Sequence, residues 1–184
     1  MMISFIGAPC SGKTTTAARV FATLKESGIA AEFVPEYARV HIAELRVKGK
    51  LKDRLSDQDV MVIGMRQRIL QETVKHGSPS SVVIADSSPL LSLLYLEQPN
   101  DAFKEQVRNA MKETDLVLLC EPVPPPVMKD SNRLHTFEES LEYHERLKKI
   151  LADDFPELDP VLLVGDIDYR VSTAFAAIME RMNG

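Results

Sequence analysis

The stretch of residues 7–14, GAPCSGKT, constrains this chain more than any other. It fits the pattern G-x-x-x-x-G-K-[ST], in which a glycine-rich turn joins a buried strand to a helix. The flanking sequence agrees with that context, because the apolar run 2–6 precedes the turn. Behind the turn, apolar side chains recur at helical spacing, namely Ala17, Val20, Phe21 and Leu24. These residues predict a strand, a phosphate-binding loop (P-loop) and a helix.

The residue types of the loop suit the phosphates of a nucleotide. Glycine lets the backbone approach phosphate oxygens closely, and the loop amides and the helix N-terminus both attract an anion. Lys13 is expected to bridge the β- and γ-phosphates, and the Thr14 hydroxyl to complete a Mg²⁺ shell. A chance glycine turn is the alternative. The predicted nucleotide-binding residues are Gly7, Ala8, Pro9, Cys10, Ser11, Gly12, Lys13, Thr14 and Thr15.

Length and charge limit the remaining choices. A chain of 184 residues predicts a single domain over residues 1–184. The net charge of −5 gives no electrostatic reason to expect a nucleic-acid binder, although a local basic groove is compatible with it. Cys10 and Cys120 form neither a disulfide framework nor a zinc cluster, so a reducing cytoplasm is the expected location. The apolar start is too short for a signal peptide, and no run reaches the ~18 apolar residues of a membrane span.

Apolar runs alternate with helical segments along the whole chain. The runs at 2–6, 31–34, 81–85, 116–120 and 161–164 predict five strands. Such alternation predicts an α/β P-loop NTPase fold, with a five-stranded parallel sheet and helices on both faces. Ligands of such a sheet lie beyond the carboxyl ends of its strands. That rule places the P-loop, Glu36, Asp86, Glu121 and Gly165-Asp166 along one edge.

Several polar residues have the spacing of helix caps. Ser56 with Asp59, and Thr136 with Glu139, are spaced as capping boxes. Ser88, followed by Pro89, predicts the N-cap and first position of another helix. Asp168 is expected to cap the last helix.

Asp86 follows a buried strand, the position of an aspartate that holds Mg²⁺ directly or through water. Capping of the next helix is the alternative role. The next residue, Ser87, replaces the glutamate with which hydrolytic motor ATPases activate water, and the chain lacks the Asn-Lys-x-Asp of GTPases. Both absences favour phosphoryl transfer to a substrate over hydrolysis. The predicted metal ligands are therefore Thr14 and Asp86.

Glu36 and Arg39 follow the second strand and are candidates for the acceptor side. A carboxylate there can take a proton from an attacking hydroxyl, a role that Asp86 can also fill. Arg39 can bind an anionic substrate group or pair with Glu36, and a surface ion pair is the simpler alternative. Gln67 and Arg68, on the long third helix, are further candidates to line the acceptor pocket; a solvated helix face is the alternative.

Residues 122–136 start with four prolines in five positions and predict a short lid. Its polar residues Lys129, Asp130 and Arg133 suit a segment that closes over the phosphates and stabilises transition-state charge. An ordinary polar surface loop is the alternative.

Taken in order, these motifs resemble the ribosylnicotinamide kinase domain of the bifunctional NAD-salvage regulators and related small AAA-type P-loop kinases of bacteria and phages. The resemblance rests on the P-loop, Glu36-Tyr37-Ala38-Arg39, Asp86 and the lid segment 129–133, KDSNR. The chain departs from the family at Asp86-Ser87-Ser88, where Asp-Thr-Asp is usual. Asp86-Ser87-Ser88 is also similar to deoxynucleoside kinases.

The resemblance implies an ATP- and Mg²⁺-dependent kinase that phosphorylates a hydroxyl of a nucleoside-like small molecule. In this prediction Lys13, Glu36, Asp86 and Arg133 are catalytic, and Arg39 binds the acceptor. One alternative is an enzyme that acts on hydroxymethylated pyrimidines in phage DNA, which needs a basic groove. The other is an ATP-switched binding protein without an acceptor.

Overall fold

Five parallel strands form the central sheet of the protein. The structure, a computed structural model, describes residues 1–51, 54–124 and 136–184. The strands are β1 (Met2–Gly7), β2 (Ala31–Val34), β3 (Val82–Ala85), β4 (Leu116–Cys120) and β5 (Val161–Leu163). Their order across the sheet is β2-β3-β1-β4-β5, and every neighbouring pair is parallel. The predicted five-stranded parallel sheet is confirmed.

Helices connect these strands and extend beyond the last of them. They are α1 (Lys13–Glu26), α2 (Tyr37–Val47), α3 (Asp57–Gly77), α4 (Leu91–Tyr95), α5 (Asp101–Met111), α6 (Phe137–Asp154) and α7 (Ile167–Asn183). Within the described ranges, no helix has the length and apolar character needed to cross a membrane.

The helices cover both faces of the sheet, as the alternation predicted. On one face, Phe5, Ile84 and Leu118 of the strands pack with α1 and α7. On the other, Ile6 and Leu119 pack with α3, α4, α5 and α6. Successive strand residues point to opposite faces, so β1 supplies Phe5 to one core and Ile6 to the other. Between these two helix layers, the carboxyl ends of β3, β1 and β4 lie side by side.

The two predicted capping boxes are confirmed, and two other predicted helix starts are wrong. Ser56 and Thr136 each accept a hydrogen bond from the backbone amide three residues on. The last helix is capped by Asp166, which accepts from the amide of Tyr169, and not by Asp168. Gly165 adopts φ +76° and turns the chain directly before Asp166, so the helix is capped two residues earlier than predicted.

The helix after β3 begins later than predicted. Its N-cap is Leu90, and Ser88 instead accepts a hydrogen bond from the Leu90 amide. The amides of Leu91, Ser92 and Leu93 each bond to the carbonyl three residues before, so this segment starts as a tight turn.

Candidate nucleotide-binding site

The loop between β1 and α1 has the backbone of a phosphate cradle. Cys10 and Gly12 adopt φ +63° and +76°, the left-handed region that lets successive amides line a concave loop. At Gly7 a Cβ would lie 2.5 Å from Ser11 Oγ and 2.9 Å from the Cys120 carbonyl oxygen. Because Ser11 of the loop and Cys120 at the end of β4 both approach this closely, a side chain at residue 7 would overlap them.

The donors of this loop are available to an anion. The amides of residues 12–15 have no hydrogen-bond acceptor in the part of the chain that the structure describes. Ser11 Oγ is buried and likewise has no partner among those residues. Open amides at the positive end of a helix, next to an unpartnered buried hydroxyl, fit the phosphates of a nucleotide.

Lys13 begins α1 and turns its ammonium toward two carboxylates. Lys13 Nζ lies 3.2 Å from Asp86 Oδ1, 3.3 Å from the Asp86 carbonyl oxygen and 3.7 Å from Glu36 Oε2. Lys13 and Asp86 are buried, with 8% and 2% of their surface exposed. The ends of β1, β2 and β3 therefore bring one cation and two acids together, as the sheet-edge rule predicted.

Burial raises the pKa of the Asp86 carboxyl above its ordinary value, and the nearby charge of Glu36 adds to the rise. Lys13 and a hydrogen bond with the Thr14 side chain act in the opposite direction. A hydroxyl and a carboxylate side by side are hard oxygen ligands of the kind that Mg²⁺ prefers. Among the described residues no group of three or more His, Cys, Asp or Glu could hold a metal ion. A Mg²⁺ ion at Thr14 and Asp86 would therefore need nucleotide phosphates and water as its other ligands.

Arg39, in the first turn of α2, connects the acceptor side to the P-loop. Arg39 Nε donates to Glu36 Oε2 at 3.0 Å, and its Nη2 donates to Thr14 Oγ1 at 3.1 Å. Its side chain is 67% exposed while that of Glu36 is 21% exposed. The guanidinium is thus largely open to solvent, whereas the carboxylate is mostly covered.

The side chain of Gln67 bonds to the backbone on either side of Glu36. It is 2% exposed, accepts from the Tyr37 amide at 2.7 Å and donates to the Pro35 carbonyl at 3.3 Å. These two bonds enclose Glu36, so Gln67 holds the segment from which Glu36 projects. Its predicted contact with an acceptor stays a prediction.

Arg68 lies elsewhere. Its Nε donates to Glu72 at 2.6 Å, and the residue lines a narrow cleft with Met2, Lys75 and Glu113 at the amino end of the sheet. The structure does not bring Arg68 to the P-loop group. Lys129, Asp130 and Arg133 lie outside the described residues, so the lid over residues 122–136 stays a prediction.

Two residues that the sequence analysis did not single out support the P-loop. Ser140 of α6 is fully buried, and its hydroxyl donates to the Pro9 carbonyl. Arg170 of α7 donates to the carbonyls of Ser11, Glu121 and Gly165. Ser140 and Arg170 lie 131 and 159 residues from their P-loop partners, and no local pattern marks such contacts.

Tyr95, at the end of α4, is a further neighbour of the site. Its ring centroid lies 5.4 Å from that of Tyr143. Burial of the hydroxyl raises the pKa of Tyr95, and Glu36, Tyr143 and Cys10 raise it further, although 38% of the residue as a whole is exposed. Tyr95 is therefore a partly exposed residue whose hydroxyl is covered and responds to the charges of Glu36 and Cys10.

This fold and this loop define a P-loop nucleotide-binding protein of the α/β class. The model of a protein family described as "AAA domain" matches residues 2–158. The chain belongs to this AAA domain family. No curated protein matches it significantly.

Solved structures share the fold over the whole chain. A crystal structure of NadR protein in complex with NR matches with a TM-score of 0.72 and 24% identity, over 100% of this chain and 52% of that one. A crystal structure of NadR protein in complex with NAD and AMP-PNP matches with a TM-score of 0.69 and 24% identity, over 98% and 49% of the two chains. The chain thus spans about half the length of these proteins. The predicted resemblance is confirmed for the fold, which the chain shares with NadR protein.

Proposed function

We propose that the protein is a kinase, which uses Mg²⁺ and ATP to phosphorylate a hydroxyl group of a nucleoside-like small molecule. The observation that carries the proposal is the place of Glu36. Its carboxylate lies beside the P-loop, 3.7 Å from the Lys13 ammonium, at the end of a strand that contributes nothing to the P-loop itself. Hydrolytic motor ATPases place the glutamate that activates water directly after the aspartate of the third strand, where this chain has Ser87, so an acid that comes instead from the end of β2 favours an acceptor hydroxyl.

The P-loop residues are assigned to ATP. The amides of residues 12–15 would bind phosphate oxygens, and Lys13 would leave its carboxylate partners for the β- and γ-phosphates. Thr14 and Asp86 would hold Mg²⁺, which supplies charge neutralisation to the phosphates when bound.

Glu36 is assigned to the acceptor. The acceptor oxygen attacks the γ-phosphorus, the bond from that phosphorus to the β–γ bridging oxygen breaks, and the hydroxyl proton passes to Glu36. The products are ADP and a phosphate monoester. Gln67 positions Glu36 through its bonds to the backbone on either side. Arg39 donates hydrogen bonds to Glu36 and Thr14 in this structure. During the reaction it would donate instead to the acceptor or to the transferred phosphoryl group.

Two observations support an acceptor that carries an aromatic base. The Tyr95 and Tyr143 rings form a tilted pair, the Tyr95 hydroxyl responds to the charges of Glu36 and Cys10, and aromatic rings stack well on flat ligands. NadR, which shares the fold, is found in complex with NR, NAD and AMP-PNP.

Incubation of the protein with γ-labelled ATP, Mg²⁺ and a panel of ribonucleosides, deoxynucleosides, nicotinamide riboside and hydroxymethylated DNA tests this assignment. Transfer of label to one nucleoside, at a rate well above that of ATP hydrolysis without acceptor, would support it. Label on DNA alone would identify the DNA-modifying alternative. Slow hydrolysis that no acceptor changes would favour an ATP-switched binding protein.

A further inference from the structure

Arg170 ties together the three segments that meet behind the P-loop. It lies in the first turn of α7 and is only 3% exposed. Its Nη1 donates to Ser11 O at 2.7 Å, its Nη2 to Glu121 O at 3.0 Å and its Nε to Gly165 O at 2.9 Å. These carbonyls belong to the P-loop, the exit of β4 and the exit of β5.

No carboxylate of the described residues forms an ion pair with the buried guanidinium of Arg170. Its hydrogen-bond acceptors among those residues are three backbone carbonyl oxygens. The side chain also lies close to the loop, because a Cβ on Gly12 would be 3.8 Å from Arg170 Nη1. A buried cation balanced only by dipoles keeps much of its attraction for an anion nearby.

The bond to Ser11 also sets the direction of an amide. In a trans peptide the carbonyl and the following N–H point in opposite directions. Since the Ser11 carbonyl points at Arg170, the N–H of Gly12 points away from it. That N–H is one of the loop donors without an acceptor among the described residues.

We propose that Arg170 is a positioning residue for the phosphates of the nucleotide. It holds the Ser11–Gly12 peptide in the orientation that presents the Gly12 amide to an anion, and it adds positive potential behind the loop. The inference rests on the nucleotide binding in the proposed function and not on the identity of the acceptor. Neither effect requires Arg170 to touch the nucleotide.

The test compares the affinities of three variants for Mg-ATP and for inorganic tripolyphosphate by titration calorimetry. Arg170→Met removes the charge and the donors, while Arg170→Lys keeps the charge but cannot reach three carbonyls as a planar fork. Arg19→Met is the matched control. Arg19 is a half-exposed arginine of α1 that forms an ion pair with Asp168 of α7. Among the described residues its side chain forms no hydrogen bond or ion pair with the P-loop.

Arg170→Met is expected to bind both ligands about 10- to 100-fold more weakly than wild type, the factor that a charged hydrogen bond contributes. Arg170→Lys should recover part of that affinity, because it restores the charge, and Arg19→Met should bind like wild type. Circular dichroism and thermal melting establish that each variant is folded. A purely structural role would lower the melting temperature of Arg170→Met and leave the affinity of the folded fraction unchanged.

Unchanged affinity in folded Arg170→Met would overturn the inference, as would an equal loss in Arg19→Met. If Arg170→Met does not fold, Arg170→Lys decides: wild-type affinity would overturn the positioning role, and partial loss would support it. A wild-type protein that binds Mg-ATP but phosphorylates no nucleoside would contradict the proposed kinase activity alone, since the affinity comparison needs no acceptor. A wild-type protein that binds neither ligand would overturn both.

Discussion

The ammonium of Lys13 lies 3.2 Å from the carboxylate of Asp86, and both side chains are buried. The lysine of the P-loop is thereby held at the sheet edge by the residue that ends β3. A buried pair of this kind contributes little net stability, because desolvation of both charges offsets their attraction. The ion pair instead fixes where the Lys13 ammonium lies, which is beside the loop that is assigned to the phosphates.

Lys13→Ala is expected to abolish phosphoryl transfer and to weaken nucleotide binding, because the loop loses the cation assigned to the γ-phosphate. The melting temperature should also fall, since Asp86 and Glu36 lose their shared partner. Radiolabel transfer and calorimetry measure the two effects. Lys75→Ala, which removes a cation at the far end of the sheet, is the control. Wild-type activity in Lys13→Ala would contradict the P-loop assignment.

Glu36→Gln is expected to lower kcat by roughly 10²- to 10⁴-fold with the true acceptor, while ATP affinity stays close to wild type. The amide keeps the shape of the side chain but accepts no proton. Steady-state kinetics together with ATP titration separate the two effects. Glu72→Gln, which alters the distant Arg68 pair, should leave kcat unchanged. Full turnover in Glu36→Gln would rule out Glu36 as the base.

The raised pKa of Asp86 predicts a pH dependence of stability. The folded protein binds the Asp86 proton more tightly than the unfolded chain, so the contribution of Asp86 to stability is greatest at low pH. It is lost as the pH rises through the folded-state pKa, which lies above the ordinary value of 3.8. Relative to Asp86→Asn, wild type should therefore lose stability from about pH 3 to neutrality.

Urea denaturation of both proteins across this pH range measures the difference in their free energies of unfolding. If wild type instead gains stability over Asp86→Asn as the pH rises, Lys13 and Thr14 outweigh burial at this site.

The two cysteines should react differently with iodoacetamide at neutral pH. Cys10 is partly exposed in the P-loop, whereas Cys120 is buried and burial raises its pKa to about 11. Mass spectrometry of the native protein should find one adduct, at Cys10, and Mg-ATP should slow its formation by covering the loop. Cys10→Ser should take up no label. Modification of Cys120 first, or no protection by Mg-ATP, would contradict this description of the loop.

Gly7→Ala should destabilise the protein by about 1–3 kcal/mol, because its Cβ would overlap Ser11 Oγ and the Cys120 carbonyl. Gly77→Ala is the matched control. No atom lies within 4 Å of a Cβ at Gly77, and its φ is not positive. That substitution should change the free energy of unfolding by less than about 1 kcal/mol, in the stabilising direction. Chemical denaturation measures the free energies of unfolding of both variants. A Gly7→Ala variant as stable as wild type would contradict the close approach of Ser11 and Cys120 to residue 7.

The sequence by itself determined the features that depend on neighbours a few residues apart. The P-loop pattern, the five apolar runs and the capping boxes at Ser56 and Thr136 are all of this kind, and each is found in the structure. Parallel strands end at one edge of a sheet, and this rule sufficed to predict that Lys13, Glu36 and Asp86 lie close together. To apply the rule, one needs to know only that strands and helices alternate along the sequence.

The tertiary structure alone decided the contacts between distant segments. Arg170 reaches Ser11 across 159 residues of chain, since β5 lies next to β4 and α7 packs beside α1. Arg68 was a candidate for the acceptor pocket, but its side chain pairs with Glu72 and lines a cleft with Met2 and Lys75, whereas its neighbour Gln67 bonds to the backbone around Glu36. Periodicity indicates which face of a helix is apolar, but not which segment each polar side chain of that helix meets. The packing of α3 against the sheet and against α2 decides those contacts.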